Sequence, residues 1–149
     1  MEYTTEIVIK LPREKVIELF DSAENLKHWQ PGLLAIDHFS GNPGEVGSKS
    51  QLHFLMGKRR IEMVETITVN DLPDEFSATY ETKGVYNEVK NYFKDEGDKT
   101  RWISKHVFKF SGFMKIIGFL FKKSFPKQSY AFQENFKEFA EEGKSVLNS

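Results

Sequence analysis

The chain has 149 residues, a formal net charge of −1, fourteen phenylalanines and no cysteine. This length suits a single domain over residues 1–149, which can bury a core without disulfides or a structural metal. The missing cysteines exclude thiol catalysis and cysteine-ligated zinc, and mixed charges without a basic stripe argue against a nucleic-acid partner. The first residues, MEYTTEIVIK, lack the features of a secretory signal, so a cytoplasmic location is expected.

The first part of the chain predicts one strand and two short helices. The stretch YTTEIVIKL is rich in β-branched residues and alternates weakly, which is typical of a strand. In PREKVIELFD, Pro12 suits a first helical turn, and Val16 and Phe20 share one face. Asp21 and Glu24 resemble a capping box for a second helix over SAENLKHW, which ends before the turn signal QPG.

The middle of the chain predicts six further strands. Short runs rich in β-branched and aromatic residues are separated by stretches such as NPGEVG, NDLPD and DEGD. Connections this short require antiparallel neighbours, because parallel strands need long crossovers. With the first strand, the prediction is a sheet of about seven strands. The six runs are LLAIDHFSG, SKSQLHFLMG, RRIEMVETITV, EFSATYETK, YNEVKNYFK and TRWISKHVFKF.

The C-terminal part of the chain predicts a long amphipathic helix. In PKQSYAFQENFKEFAEEGKSVL, Phe132, Phe136 and Phe139 lie on one helical stripe. Extended backwards, the stripe runs through FSGFMKIIGFLFKKSF, residues 110–125, so the two stretches share one helical frame. Pro126 is expected to bend or restart the helix, because proline inside a helix removes a hydrogen bond.

Several motifs, in this order, resemble those of one superfamily. They are PREKVIELFDSAENLKHWQPGL, GEVGS, EMVETITVNDLPDEF, Thr100 opening the last strand, and FKEFAEEG. The chain resembles the START-like, or SRPBCC, superfamily, which includes polyketide cyclases and dehydratases, pollen-allergen-type proteins and lipid-transfer domains. The resemblance implies an α+β helix-grip fold. In this fold a curved antiparallel sheet of about seven strands, in the order β-α-α-β6-α, grips a long C-terminal helix around an apolar cavity.

A few polar residues in the predicted strands are candidates for chemistry. Ser104 and His106 alternate with charged residues, so both should face inward. His106 is either a proton carrier or ligand-orienting group, or a satisfied core residue. Glu65 shares an apolar face with Val69. If buried, it would have a raised pKa suited to a general acid or base, unless it reaches water or pairs with Lys or Arg. Tyr80 lies on an apolar face and offers its hydroxyl to the cavity.

Polar residues also interrupt the predicted C-terminal helix. Gln128 and Ser129 break its apolar stripe, so either a ligand or a water satisfies them, or they lie in an exposed kink beside Pro126. Inward aromatic, apolar and polar residues of the sheet and helix are the candidate ligand contacts. They are Trp29, Phe54, Met63, Tyr80, Trp102, Ser104, His106, Phe121, Gln128, Ser129 and Phe132.

The stretch Met114–Phe125 has apolar residues on more than one face. Lys115 and Lys122 interrupt it, and a transmembrane helix needs about 20 mainly apolar residues, so a membrane span is not expected. A surface helix needs only one apolar face. The second face is therefore covered by neighbouring loops, gates the pocket, forms a homodimer contact, or docks on a membrane. In a membrane interface, Lys123 and Lys127 would reach anionic head groups.

These features predict a module that binds a small, largely apolar ligand, such as a lipid, isoprenoid or polyketide-like molecule, between the sheet and the C-terminal helix. One alternative is a cyclase- or dehydratase-type enzyme in which His106 and Glu65 carry protons and Tyr80 donates a hydrogen bond. The other is an interaction or membrane-docking protein that acts through Met114–Phe125. The four histidines lack metal-ligand spacing, so no metal and no cofactor are expected.

Overall fold

The computed structural model describes residues 1–148, in which seven strands and four α-helices follow the predicted order. The elements are β1 (Glu2–Ile9), α1 (Arg13–Phe20), α2 (Leu26–Trp29), β2 (Leu33–Ser40), β3 (Lys49–Met56), β4 (Arg59–Asp71), β5 (Glu75–Thr82), β6 (Val85–Asp95), β7 (Thr100–Phe110), α3 (Met114–Leu120), α4 (Ser124–Glu142) and a 3₁₀ turn (Val146–Asn148).

The seven strands form one antiparallel sheet in the order β1-β7-β6-β5-β4-β3-β2. Strands β2 to β7 form a meander through short turns, as the short connections predict. Strand β1 adds to the far edge beside β7, and α1 and α2 carry the chain across to β2. The predicted α+β class and the curved seven-stranded sheet with its long C-terminal helix are confirmed.

A β-bulge in β4 changes which side chains face inward. Ile67 pairs with Ala78, but the next pair joins Val69 to Ser77, so β4 carries one extra residue there. Ser77 and Ala78 are consecutive residues and therefore point to opposite faces. The expectation that Val69 shares the face of Glu65 is wrong, because the bulge reverses the alternation beyond Ile67.

The second helix begins later than expected. α2 starts at Leu26, and its N-cap residue Asn25 makes no side-chain capping bond. The Asn25 amide instead donates to the Leu19 carbonyl oxygen at 3.1 Å. The predicted capping box of Asp21 and Glu24 is therefore wrong.

The apolar stretch and the C-terminal helix are two separate helices, α3 and α4. Pro126 lies in the first turn of α4, where a missing N–H removes no intrahelical bond. The proline thus restarts the helix, as expected, but a single helical frame over both stretches is wrong. Within the described residues, no helix combines the length and apolar character needed to cross a membrane.

Five aromatic rings form the core between α4, α2 and the β1 side of the sheet. Their contacts have ring centroids 4.9 to 6.0 Å apart. Burying each such ring is worth roughly 1.5–3 kcal/mol, so this cluster fixes α4 against the sheet. Its members are Phe20, Trp29, Phe93, Trp102 and Phe136.

The chain enters β2 through a turn that requires glycine. Pro31 and Gly32 occupy its centre, and the Leu33 N–H donates to the Gln30 carbonyl oxygen at 3.3 Å. Gly32 has a φ of +82°, which is typical of the third residue of a type II turn. A Cβ on Gly32 would lie 2.2 Å from the carbonyl oxygen of Leu55.

We expect Gly32→Ala to destabilise the fold more than Gly44→Ala. Both glycines have positive φ, +82° and +81°, so both variants carry backbone strain of about 1–3 kcal/mol. Only Gly32→Ala adds a collision, with the Leu55 carbonyl, which should cost roughly 1–3 kcal/mol more. Urea unfolding measures both free energies, and equal losses would contradict this turn geometry.

Candidate ligand-binding site

The helices cover the inner face of the sheet unevenly. α4 packs on β1 and α2, so its C-terminal half closes the aromatic core. Beside that core, Ile36, Met63, Asn87 and Phe108 are only half-buried on the inner face. The inner face of β3–β7, next to the two C-terminal helices, is thus only partly covered, and this partly covered region is the hollow.

Several predicted ligand contacts lie on the inner face. Met63 and Tyr80 are half-buried on β4 and β5, and Phe54 is buried on β3. Phe132 of α4 packs against the aromatic core. The three sheet residues lie on the inner face, as the strand alternation predicts, and the role of all four as ligand contacts stays a prediction.

Trp29 and Trp102 belong to the filled half. Each is 4% exposed, and their rings meet edge to face at 6.0 Å. The structure therefore places both in the aromatic core, where they pack against Phe136. Their role as ligand contacts stays a prediction.

Two predicted contacts do not face the hollow. Phe121 is 53% exposed, because it follows α3 and the helical frame of α4 does not reach it. Gln128 is exposed, because it lies about 100° around α4 from Ser129. Ser129 is half-buried and its hydroxyl lies 2.7 Å from the Tyr3 hydroxyl. The inward placement of Phe121 and Gln128 is thus wrong, whereas Ser129 has a protein partner.

Glu65 and Tyr80 form a hydrogen-bonded pair across β4 and β5. The Tyr80 hydroxyl donates to Glu65 Oε2 at 2.7 Å. Burial raises the pKa of Glu65, and the Tyr80 hydrogen bond offsets part of that rise. Burial, together with the negative charge of Glu65, raises the pKa of Tyr80 well above its usual value. Glu65 therefore pairs with a tyrosine rather than with the Lys or Arg considered from the sequence.

The structure does not bring Glu65 and His106 together. Glu65 is level with Tyr80, Asn87 and Phe108 across the sheet, and His106 lies two residues further along β7. Three strand spacings separate them, roughly 14 Å along the sheet. The two groups cannot act on one proton, and a catalytic role for either stays a prediction.

The inner face of β7 carries a chain of buried hydrogen bonds. Trp102 Nε1 and Ser104 Oγ both donate to Asn91 Oδ1, at 2.9 and 3.0 Å. Ser104 Oγ also lies 3.1 Å from His106 Nε2. The imidazole of His106 stacks on the Tyr3 ring, with centroids 4.8 Å apart. Ser104 and His106 therefore face inward as predicted, but within a connected network.

Sequence reasoning missed the partners of this network. Asn91 shares one face of β6 with Val89 and Phe93, so the same period-two argument would have placed it inward. Gln133 is 1% exposed, and its amide donates to the Trp102 carbonyl oxygen at 3.3 Å. It lies one turn of helix from Ser129, a position that the correct frame of α4 would have identified.

Across residues 1–148, no three His, Asp or Glu side chains are grouped to hold a metal ion. The nearest arrangement is on the outer face, where His53 lies 2.9 Å from Asp37 Oδ2 and 3.1 Å from Glu62 Oε1. Both carboxylates are more than half exposed, so this is a surface hydrogen-bonded cluster away from the hollow.

Removing the imidazole of His106 should change how stability depends on pH. Burial lowers the pKa of His106 from 6.5 to about 4, so below pH 6.5 the unfolded chain binds the proton more readily than the folded one. This histidine therefore costs stability as the pH falls from 6.5 to 4, by up to roughly 3 kcal/mol.

We expect the free energy of unfolding of His106→Phe to fall less steeply between pH 6.5 and 4 than that of the parent chain. Phenylalanine keeps the stacking position but does not titrate. Urea unfolding at a series of pH values measures the slope, and His38→Phe at an exposed site controls for the loss of one histidine. A slope unchanged from the parent would contradict a depressed pKa at His106.

No protein-family model and no curated protein matches this sequence. Solved structures do match over nearly its whole length. A conserved protein from Geobacillus kaustophilus superposes with a TM-score of 0.78 at 14% identity, covering 97% of each chain. Norcoclaurine synthase from Thalictrum flavum, solved with dopamine and hydroxybenzaldehyde, gives 0.70 at 17% identity, covering 97% of this chain and 88% of that one.

The di-domain ARO/CYC protein BexL, from the BE-7585A biosynthetic pathway, gives a TM-score of 0.72 at 12% identity, covering 95% of this chain and 48% of that one. Identities this low establish the fold and nothing finer. Together with the strand order and the long C-terminal helix, these superpositions show that the chain has the helix-grip fold.

Proposed function

We propose that the protein binds a small, largely apolar molecule in the hollow between β3–β7 and the helices α3 and α4. The observation that carries this proposal is the inner face itself, where Met63, Tyr80 and Phe108 point inward and are only half-buried. A guest that buries about 300 Å² of apolar surface there would gain roughly 7 kcal/mol before the cost of association.

The chemistry of the hollow favours aromatic or polyketide-like guests. Phe108 stacks on Phe110 at 5.7 Å and meets Phe125 of α4 at 4.9 Å, so aromatic rings form one wall. The Glu65–Tyr80 pair places polar atoms on the other side. Two superposing proteins support this class, because one was solved with dopamine and hydroxybenzaldehyde and another is an ARO/CYC protein.

Filling the hollow should abolish binding. We expect Met63→Trp to weaken binding of the fluorescent apolar probe N-phenyl-1-naphthylamine at least about tenfold, because the indole would occupy space needed by the guest. Val64→Trp is the matched control, since Val64 is also half-buried but adjacent on β4 and points to the opposite face. Fluorescence titration measures both. Equal affinities in the two variants, or no binding by the parent, would refute the site.

The second candidate function is docking on an anionic membrane surface, and the exposed apolar face of α3 favours it. Phe113 is 71% exposed and Phe119 is 73% exposed. Ile116, Leu120 and Phe121 are also more than half exposed. Single exposed apolar residues are ordinary, but a contiguous group on one short helix marks an interaction surface.

Positive charge surrounds this apolar face. Residues 109–127, which include α3 and its flanks, contain five Lys and no Asp or Glu, and Lys122 lies over the Phe119 ring at 6.0 Å. The β3–β4 and β5–β6 turns emerge at the same end of the sheet as α3 and add Lys58, Arg59 and Lys83. Apolar side chains within a basic rim are the combination that binds anionic lipid head groups.

We expect Phe119→Glu to reduce binding to vesicles of phosphatidylcholine with phosphatidylglycerol about tenfold or more, because it removes an inserted ring and adds repulsion. Vesicle flotation measures binding. Phe39→Glu is the control, since Phe39 is 56% exposed but lies towards the other end of the sheet. Pure phosphatidylcholine and high salt should each weaken binding. Light scattering that shows a dimer broken by Phe119→Glu, without flotation of the parent, would instead assign this face to a homodimer.

A further inference from the structure

The hydrogen-bond chain on β6 and β7 fixes the tautomer of His106. The indole Nε1 of Trp102 can only donate, so the Asn91 atom 2.9 Å away must be the amide oxygen. Because that oxygen only accepts, the Ser104 hydroxyl proton is committed to it at 3.0 Å. Ser104 then has no proton left for His106 Nε2 at 3.1 Å. The imidazole must donate from Nε2, which leaves Nδ1 without a proton.

Nδ1 is therefore a bare acceptor inside the protein. It is buried and has no hydrogen-bond partner in the described part of the chain. Burial also lowers the pKa of His106 to about 4, so the ring stays neutral near pH 7 and Nδ1 keeps its lone pair. A buried polar atom of this kind normally has a partner, which is either a water or a ligand.

Of the neighbouring polar groups, one adds a second acceptor and one is a hydroxyl that can donate or accept. Thr5 lies opposite Ser104 on β1, and its buried hydroxyl has no partner among residues 1–148. Gln133 donates through its amide nitrogen to the Trp102 carbonyl, which leaves its buried oxygen Oε1 unpartnered. Tyr3, which covers one face of the imidazole, directs its hydroxyl to Phe125 and Ser129 of α4.

We propose, resting on the ligand-binding function above, that His106 Nδ1 accepts a hydrogen bond from the bound molecule. The ligand class is then an apolar molecule that carries a neutral donor at its buried end, such as a phenol, an alcohol or an indole-type N–H. Ketones, ethers and carboxylates that present only lone pairs at that end are disfavoured, because they place an acceptor against Nδ1 and leave it unpaired.

Three probes of similar size separate this inference from the parent proposal. Naphthalene reports apolar binding alone, 2-methoxynaphthalene adds only an acceptor, and 2-naphthol adds a donor. We expect calorimetry to show 2-naphthol binding about tenfold more tightly than its methyl ether, which is the effect of one satisfied buried hydrogen bond. His106→Phe should remove this preference while retaining naphthalene binding, because phenylalanine preserves the ring contacts.

Two further variants test the network and control for the loss of a histidine. Ser104→Ala keeps the imidazole but removes the acceptor of Nε2–H, so the preference for 2-naphthol should fall. His53→Phe removes an imidazole from the outer face, away from the hollow, and should retain the preference. ¹⁵N NMR of the parent reads the tautomer directly, and we expect the proton on Nε2.

Each contrary result has a distinct meaning. Naphthalene binding with equal affinity for 2-naphthol and its ether would overturn the donor preference and leave the ligand-binding function standing. Failure of all three probes to bind would overturn both. A proton found on Nδ1, or a preference that survives in both His106→Phe and Ser104→Ala, would overturn the assignment to His106.

Discussion

The attachment of α4 to the β1 edge determines the shape of the inner side of this protein. Phe136 is fully buried among aromatic rings. One residue on, the Lys137 ammonium donates to the Val8 carbonyl and pairs with Glu141 at 2.7 Å. Because a helix is about 10 Å wide and strands lie about 4.8 Å apart, one helix covers roughly two strands. A helix fixed over β1 and β7 therefore does not cover the middle strands of a seven-stranded sheet. Those strands must be covered by the curvature of the sheet, by loops or by a ligand.

The remaining cover of the hollow comes from α3, which has little stability of its own. It has seven residues, and isolated helices of this length do not persist in water. Its contacts to the sheet use two glycines, because Gly118 approaches the Phe110 ring and Gly84 approaches Met114. The same helix presents the exposed apolar face. The helix that depends most on tertiary contacts for its stability therefore also exposes the most apolar surface to solvent.

Strand alternation and short turns were sufficient to predict the sheet, the inward direction of Ser104 and His106, and the fold that the motif order resembles. The errors arose where a local feature interrupted the repeat of a strand or helix. The bulge in β4 moved the Val69 side chain to the opposite face of the sheet, and the break before Ser124 placed Phe121 outside the helical frame of α4. The partners of His106 depend on the register between neighbouring strands. The alternation pattern of one strand does not specify that register.

The cost of the unpartnered polar atoms is large compared with the free energy of unfolding of a domain. Thr5, His106 and Gln133 each bury one such atom, at about 1–3 kcal/mol apiece, while a domain is stable by only about 5–15 kcal/mol. Each unpartnered atom therefore opposes folding until a water or a ligand satisfies it. A molecule that supplies a donor relieves that penalty as it buries its own apolar surface. A ligand with a donor therefore gains both the hydrogen bond to His106 and the burial of its apolar surface. A molecule with only acceptors gains the apolar burial and leaves His106 Nδ1 unpaired.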